Sequence, residues 1–194
     1  MRGKLSWGAA VILGCLAVSA ALGSTVIGLS IEDQARLSKW IVVGEVQSLQ
    51  GVDHPVNGLE TAVSLKVSDV FKGPAKAGQT LVFYTRGGEA NGVISEAVGE
   101  AVFRPGQRTL VFIEETDGRA YNLGLSMGVW NVLEPTSGRP SFSRAVQDGL
   151  EVVGTTPIES GPLSWSDMAS RVGWTMTHPD FDESLLRDAA ARRR

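Results

Sequence analysis

F-R-P-G-Q-R-T-L-V-F-I-E-E-T-D-G-R-A-Y-N-L-G-L-S-M-G-V-W-N-V-L, residues Phe103 to Leu133, is the stretch that decides the fold. Pro105 and Gly106 suit the central positions of a type II turn, since proline presets φ and glycine accepts a positive value. Thr109 to Ile113 is an apolar, β-branched run of the kind buried on both faces. Asp117-Gly118 is a two-residue hairpin signal, because both central residues of a type I′ turn need positive φ. Tyr121, Leu123 and Leu125 read as one face of the returning strand. After the Ser126-Met127-Gly128 corner, Trp130 and Val132 alternate with Val129, Asn131 and Leu133. The expectation is an antiparallel β meander.

Upstream, Ser30 and Asp33 make a capping-box pattern before a short helix over 31–38. A strand follows from Trp40 to Leu49, with Gly44 marking a bulge or a close backbone approach. Gly51 to Gly58 has loop composition. Thr61 to Phe71 alternates as a half-exposed strand whose phase breaks at Val70, which predicts a twist or bulge near Asp69. Thr80 to Thr85 is the next strand, and a long connection leads from Gly87 to Phe103, in which Val93-Ile94-Ser95 can pair as a short edge. Downstream, Thr136 to Arg139 is a turn and Pro140 to Val146 pairs back on Val129 to Leu133. Gly154 to Pro162 is a linker. Ser164 and Asp167 cap an amphipathic helix with Trp165, Met168, Ala169 and Val172 on its apolar stripe. Asp180 to Ala191 forms a last helix, closed by Arg192, Arg193 and Arg194.

The 194 residues are 43% hydrophobic and 20% charged, enough for one sizeable core. Arg2 and Lys4 precede an uncharged run, Leu5 to Leu22, that exits through small residues. This is the pattern of a secretory signal peptide with Ser24 as the new N-terminus. An uncleaved membrane anchor is the competing reading. The one cysteine, Cys15, sits inside this run in a half-match to a lipobox, where it would be acylated. Read as a plain signal residue, it leaves no cysteine in an exported, periplasmic or secreted chain. Net charge is −3, and −5 once Arg2 and Lys4 are removed, which gives no electrostatic drive toward nucleic acid.

Several corners taken together carry a likeness: Leu29-Ser30-Ile31-Glu32 with Ile41 to Val46, Val67 to Gly73, Gly87-Gly88, Phe103 to Arg108, Leu110 to Ile113, and Gly124 to Gly128. Over 25–153 the chain resembles a group of exported bacterial proteins with an OB-like barrel, akin to netrin-like modules and tissue inhibitors of metalloproteinases. The resemblance implies an OB-like antiparallel barrel, and with the helices read above the expected fold is mainly β, an OB-like barrel with a short N-terminal helix and C-terminal helices. The expected organisation is a signal peptide (1–23), the barrel domain (24–153), and a linker with C-terminal helices (154–194) that pack on the barrel or stay exposed. Tissue inhibitors chelate a protease's zinc through an N-terminal cysteine clamped by disulfides. Ser24-Thr25-Val26 has no cysteine, and nothing in the sequence holds it in place.

No constellation carries chemistry by its spacing. His54 and His178 lie in no H-x-x-x-H or H-E-x-x-H pattern, so no metal site is expected. His54 reads as a loop residue and His178 as part of a turn before Asp180. No G-x-S-x-G elbow and no phosphate loop occur. No catalytic residue and no cofactor are assigned. The feature that folding explains least is the Gly87 to Phe103 connection. With the facing Gly51 to Leu59 loop it forms the expected partner-binding rim: Asp53, His54, Asn57, Gly87, Gly88, Glu89, Asn91, Glu96 and Glu100. The functional expectation is a non-catalytic exported binding or scaffold module of the bacterial envelope. It acts through an envelope or extracellular protein partner and touches membrane only through an uncleaved signal or acylated Cys15. The alternatives are an inhibitor or regulator of an extracellular enzyme and a hydrolase without a recognised signature.

Overall fold

A computed structural model describes residues 24–144, 146–147, 150–154, 156 and 158–177. The expected signal segment with Cys15, His178, the expected last helix and the terminal arginines lie outside them. In chain order the elements are β1 (Ser24–Ile27), α1 (Ile31–Leu37), β2 (Trp40–His54), β3 (Gly58–Lys72), β4 (Thr80–Arg86), β5 (Gly88–Ala90) and β6 (Val93–Ser95). They continue with β7 (Arg108–Thr116), β8 (Arg119–Asn122), a 3₁₀ turn (Leu125–Gly128), β9 (Val129–Leu133), β10 (Ser141–Arg144), β11 (Leu150–Val153), β12 (Leu163–Ser164) and α2 (Trp165–Thr177). The chain is mainly β.

The main sheet runs β12-β10-β9-β7-β2-β3-β4-β8, and an added β7–β8 pairing closes β7, β2, β3, β4 and β8 into a five-strand ring. Its last contact is parallel, at Tyr84 and Tyr121, whereas the others are antiparallel. Closure needs strong coiling, and β2–β3 supplies it through register shifts at Ile41/Val42, Val43/Gly44 and Val46/Ser48. The first two leave Phe71 and Ser68 unpaired on either side of Asp69 and Val70, where the sequence phase breaks. Gly44 is a point of close approach: a Cβ there would lie 2.6 Å from the Lys66 carbonyl oxygen.

Alternation sorts β2 and β7 into two cores. Val42, Val46, Val111 and Ile113 point into the ring with Val63, Leu65, Val67, Phe83 and Phe103. Ile41, Val43, Leu110 and Phe112 point outward, under Ile31, Ala35, Trp130, Phe142, Met168 and Val172. The run from Thr109 to Ile113 is therefore buried on both faces. The outer layer is α1, α2 and the β9–β10 arm. Ser30 caps α1 by accepting from the Asp33 N–H at 3.0 Å, and Ser164 does the same for α2 from Asp167 at 3.1 Å. Trp165 stacks on Phe71 and Phe142, with ring centres 5.1 and 5.3 Å apart.

Four expectations are corrected. Gly51 to Gly58 is not a loop: β2 continues to His54 and pairs with β3 down to the Pro55–Asn57 turn. The three-strand meander is broken, because Gly124 and Leu125 take left-handed conformations (φ 65° and 58°) and the 3₁₀ turn carries the chain past β8. Leu123 and Leu125 thus leave the strand, and β9 pairs with Thr109 to Val111 of β7 instead. Ala169 is exposed, and Thr175 joins Met168 and Val172 on the buried side of α2. Finally, Ser24 to Ile27 is held: β1 pairs in parallel with β11, a two-strand sheet that the sequence does not announce.

Candidate functional site

The β2–β3 hairpin is long enough to project past the ring, and its tip carries Asp53, His54 and Asn57. His54 Nδ1 accepts from the backbone N–H groups of Val56 (3.3 Å) and Asn57 (3.0 Å), which places the neutral ring's proton on Nε2. Packed beside this tip is a second hairpin, β5–β6, turned by Asn91 (φ 52°) and Gly92 (φ 75°). Gly51 makes the packing possible, since a Cβ there would sit 1.8 Å from the Glu89 carbonyl oxygen. Asn91 Nδ2 reaches Asp53 Oδ2 at 3.5 Å. Gly87 is tied to β3 on both sides, its N–H donating to Leu59 O and its carbonyl accepting from Thr61 Oγ1. The two segments named by the sequence therefore form one rim. Glu89, Asn91 and Glu96 are exposed on it, together with Val56, Val93, Ile94, Val98 and Val102.

Glu100 is different: it is buried, and its carboxylate accepts from Asn122 Nδ2 (2.6 Å), the Ala101 N–H (3.0 Å) and the Arg86 N–H (3.2 Å). Burial raises its pKa above the ordinary carboxylate range, and those donors oppose the rise. It anchors the connection to β4 and to the corner after β8.

Between the hairpin tip, the β7–β8 hairpin and Glu100 lies a cleft of about 640 Å³. Asn57, Arg119 and Tyr121, which line it, converge on a buried polar network that the sequence did not indicate. Glu60, with no exposed surface, accepts from Arg119 Nη2 (2.7 Å), Tyr121 Oη (2.9 Å) and Asn57 Nδ2 (2.8 Å). Arg119 also lies 3.7 Å over the Tyr84 ring. Burial and the Glu60 carboxylate raise the Tyr121 phenol. Glu114, on the cleft wall, is raised by burial, and Arg86 across the cleft pulls it the other way. No signal in the sequence marks Glu60 as a buried acid, because it stands one step before the alternating part of β3. The Asn91-Gly92 pair is a readable type I′ signal and could have located β5–β6.

Among the described residues no group of three or more His, Cys, Asp or Glu is placed to hold a metal ion. No described helix is long and apolar enough to cross a membrane. The sequence matches no protein-family model and none of the curated proteins it was compared with.

Proposed function

We propose that this protein is a non-catalytic, exported binding module of the cell envelope, built on an OB-like barrel, that engages a protein partner through the rim made by the β2–β3 tip and the β5–β6 hairpin. The observation that carries this reading is the rim itself. Two segments from different parts of the chain are fitted together at one end of the ring with polar groups held at the tip and valine and isoleucine side chains turned to water. Ile94 is 68% exposed and Val56 85%. Apolar side chains gathered at one edge and flanked by Glu89, Asn91 and Glu96 resemble the core and rim of a protein interface. The closed five-strand ring is compatible with the OB-like architecture that the sequence resembles. Export rests on the N-terminal segment from Arg2 to Gly23.

The test is co-elution from the envelope fraction of the native host. Wild-type protein should migrate in a larger complex, Ile94→Asp should migrate as the free protein, and Leu133→Asp, at another exposed apolar position, on β9, should behave as wild type. A wild-type chain that elutes alone, or a complex indifferent to Ile94→Asp, contradicts the proposal. Intact mass of the recovered chain checks export: a start at Ser24 is expected, and an unprocessed Met1 start opposes it.

A further inference from the structure

The cleft beside the β2–β3 tip holds two charges that the fold does not use. Arg86 ends β4 and is exposed, Glu114 on β7 is half-buried, and both line the cleft of about 640 Å³. Strand β8 runs between them: Tyr121 is in register with Tyr84 of β4 on one side and with Glu114 of β7 on the other. Two strand spacings, roughly 10 Å, therefore separate β4 from β7 here. Arg86 favours the charged form of Glu114 through space, yet no ion pair or hydrogen bond closes between them. Neither side chain has another such partner among the described residues.

The neighbouring charges are already engaged. Arg119 is paired with Glu60 and stacked on Tyr84. The Glu100 carboxylate accepts from Asn122 and from the Ala101 and Arg86 N–H groups. Glu114 has given up part of its hydration and received no donor in return, so a bound cation would be favourable there. The signs on the walls then decide what fits. A simple anion drawn to Arg86 meets Glu114, Glu100 and Asp117, and a simple cation drawn to Glu114 meets Arg86 and Arg119. A ligand that carries both charges meets attraction at each end.

We propose that this cleft binds a free α-amino acid with an aliphatic side chain, its carboxylate on the Arg86 guanidinium, its ammonium on the Glu114 carboxylate, and its side chain against Val26, Val98 and Leu125. The ammonium and carboxylate of such a ligand sit on one carbon. With a charge-assisted hydrogen bond of about 2.8 Å at either end, they bridge two groups that stand too far apart to pair directly. A guanidinium with its fork free also matches a planar carboxylate. Val26, Val98 and Leu125 supply the apolar part of the lining. Binding here needs no protein partner at the adjoining rim.

The full chain, labelled with ¹⁵N, is titrated at neutral pH with L-leucine while the amide resonances of Arg86, Glu114 and Tyr121 are followed. They should shift and saturate. N-acetyl-L-leucine, which lacks the ammonium, and L-leucinamide, which lacks the carboxylate, should each bind about tenfold more weakly, the worth of one charged hydrogen-bonded contact. Glu114→Gln should remove leucine's advantage over N-acetyl-L-leucine, and Arg86→Gln its advantage over L-leucinamide. The comparison of the three ligands uses the wild-type chain, so it decides the matter even where a variant disturbs the fold. The proposal is overturned if leucine moves none of the three resonances, if either derivative binds as tightly as leucine, or if both folded variants bind leucine as wild type does. Tighter binding of L-leucinamide than of leucine would mark a cation site and overturn it as well.

Discussion

Arg119 Nη2 lies 2.7 Å from Glu60 Oε2, and the two groups differ sharply in exposure: the Glu60 side chain has no accessible surface, whereas Arg119 keeps 30% of its own. The pair bridges the start of β3 to the start of β8, two strands that never hydrogen-bond to each other. It therefore helps lock the ring where only the single Tyr84–Tyr121 register contact joins β4 to β8.

Removing the cation strands a buried carboxylate. Arg119→Ala should cost about 3 kcal/mol in urea unfolding, while Glu60→Gln, which keeps acceptors for Asn57 and Tyr121, should cost less. Adding Glu60→Gln to Arg119→Ala should restore part of the loss. If the double variant is as unstable as the sum of the two singles, the pair is not coupled.

The rim depends on the absence of a side chain at one position. Gly51→Ala places a methyl group inside the Glu89 carbonyl, so the β5–β6 hairpin must lift off β2. Hydrogen exchange at Gly88 to Ala90 should accelerate, and the amides of β7 should keep their protection, because the cores beneath are untouched. Loss of protection in β7 would show that the rim is part of the global fold.

Lys72 joins the ring to its outer layer. Its Nζ donates to the carbonyl oxygens of Ala35 (2.6 Å) and Arg36 (3.3 Å), the C-terminal end of α1. Burial lowers its pKa without taking away this role. Lys72→Met keeps the alkyl packing and removes the cap, so a loss of about 1.5 kcal/mol is expected. Circular dichroism with urea melts would register it, and an unchanged midpoint would rule the cap out.

Glu100 and Glu114 have folded-state pKa values raised by burial, so the native chain binds their protons more readily than the unfolded chain does. Their ionisation weakens the fold. The deficit is absent below the ordinary carboxylate value and complete above the raised one. Across that window, acidification from neutral pH should add a stabilising component that Glu114→Gln diminishes. Glu32 works the other way: its pKa is lowered chiefly by the Arg171 hydrogen bond, and its contribution is lost as pH falls through the lowered value. Urea midpoints of wild type and Glu114→Gln across pH 4 to 7 decide the matter, and identical slopes would contradict it.

Legibility in the sequence followed the range of the interaction. Both capping boxes, the Asp117-Gly118 hairpin (φ 52° and 77°), the Arg104–Gln107 turn around Gly106 and the bulged region near Asp69 are local, and each is where the residues place it. Partner choice was not local. Strands that follow one another as β7, β8 and β9 do suggest a meander, but β7 is long enough to take β8 at one end and β9 at the other. The β1–β11 pair joins segments at opposite ends of the domain and leaves no sequence mark. At the site, the two rim segments could be named from loop length and composition. Glu60, Arg119 and Tyr121 could not, since their meeting depends on ring closure, and Glu100, which its place in the connection assigns to the rim, turns its carboxylate inward.

The partner surface proposed above is formed by the β2–β3 tip and the β5–β6 hairpin. It is tested most directly by a photo-reactive amino acid at Ile94, with Leu133 as an exposed apolar control on β9, irradiated in cells of the native host. One discrete cross-linked species is expected from Ile94, lost when Gly51→Ala is added, and none from Leu133. Cross-linking of equal yield and pattern at both positions, or none at Ile94, would contradict it.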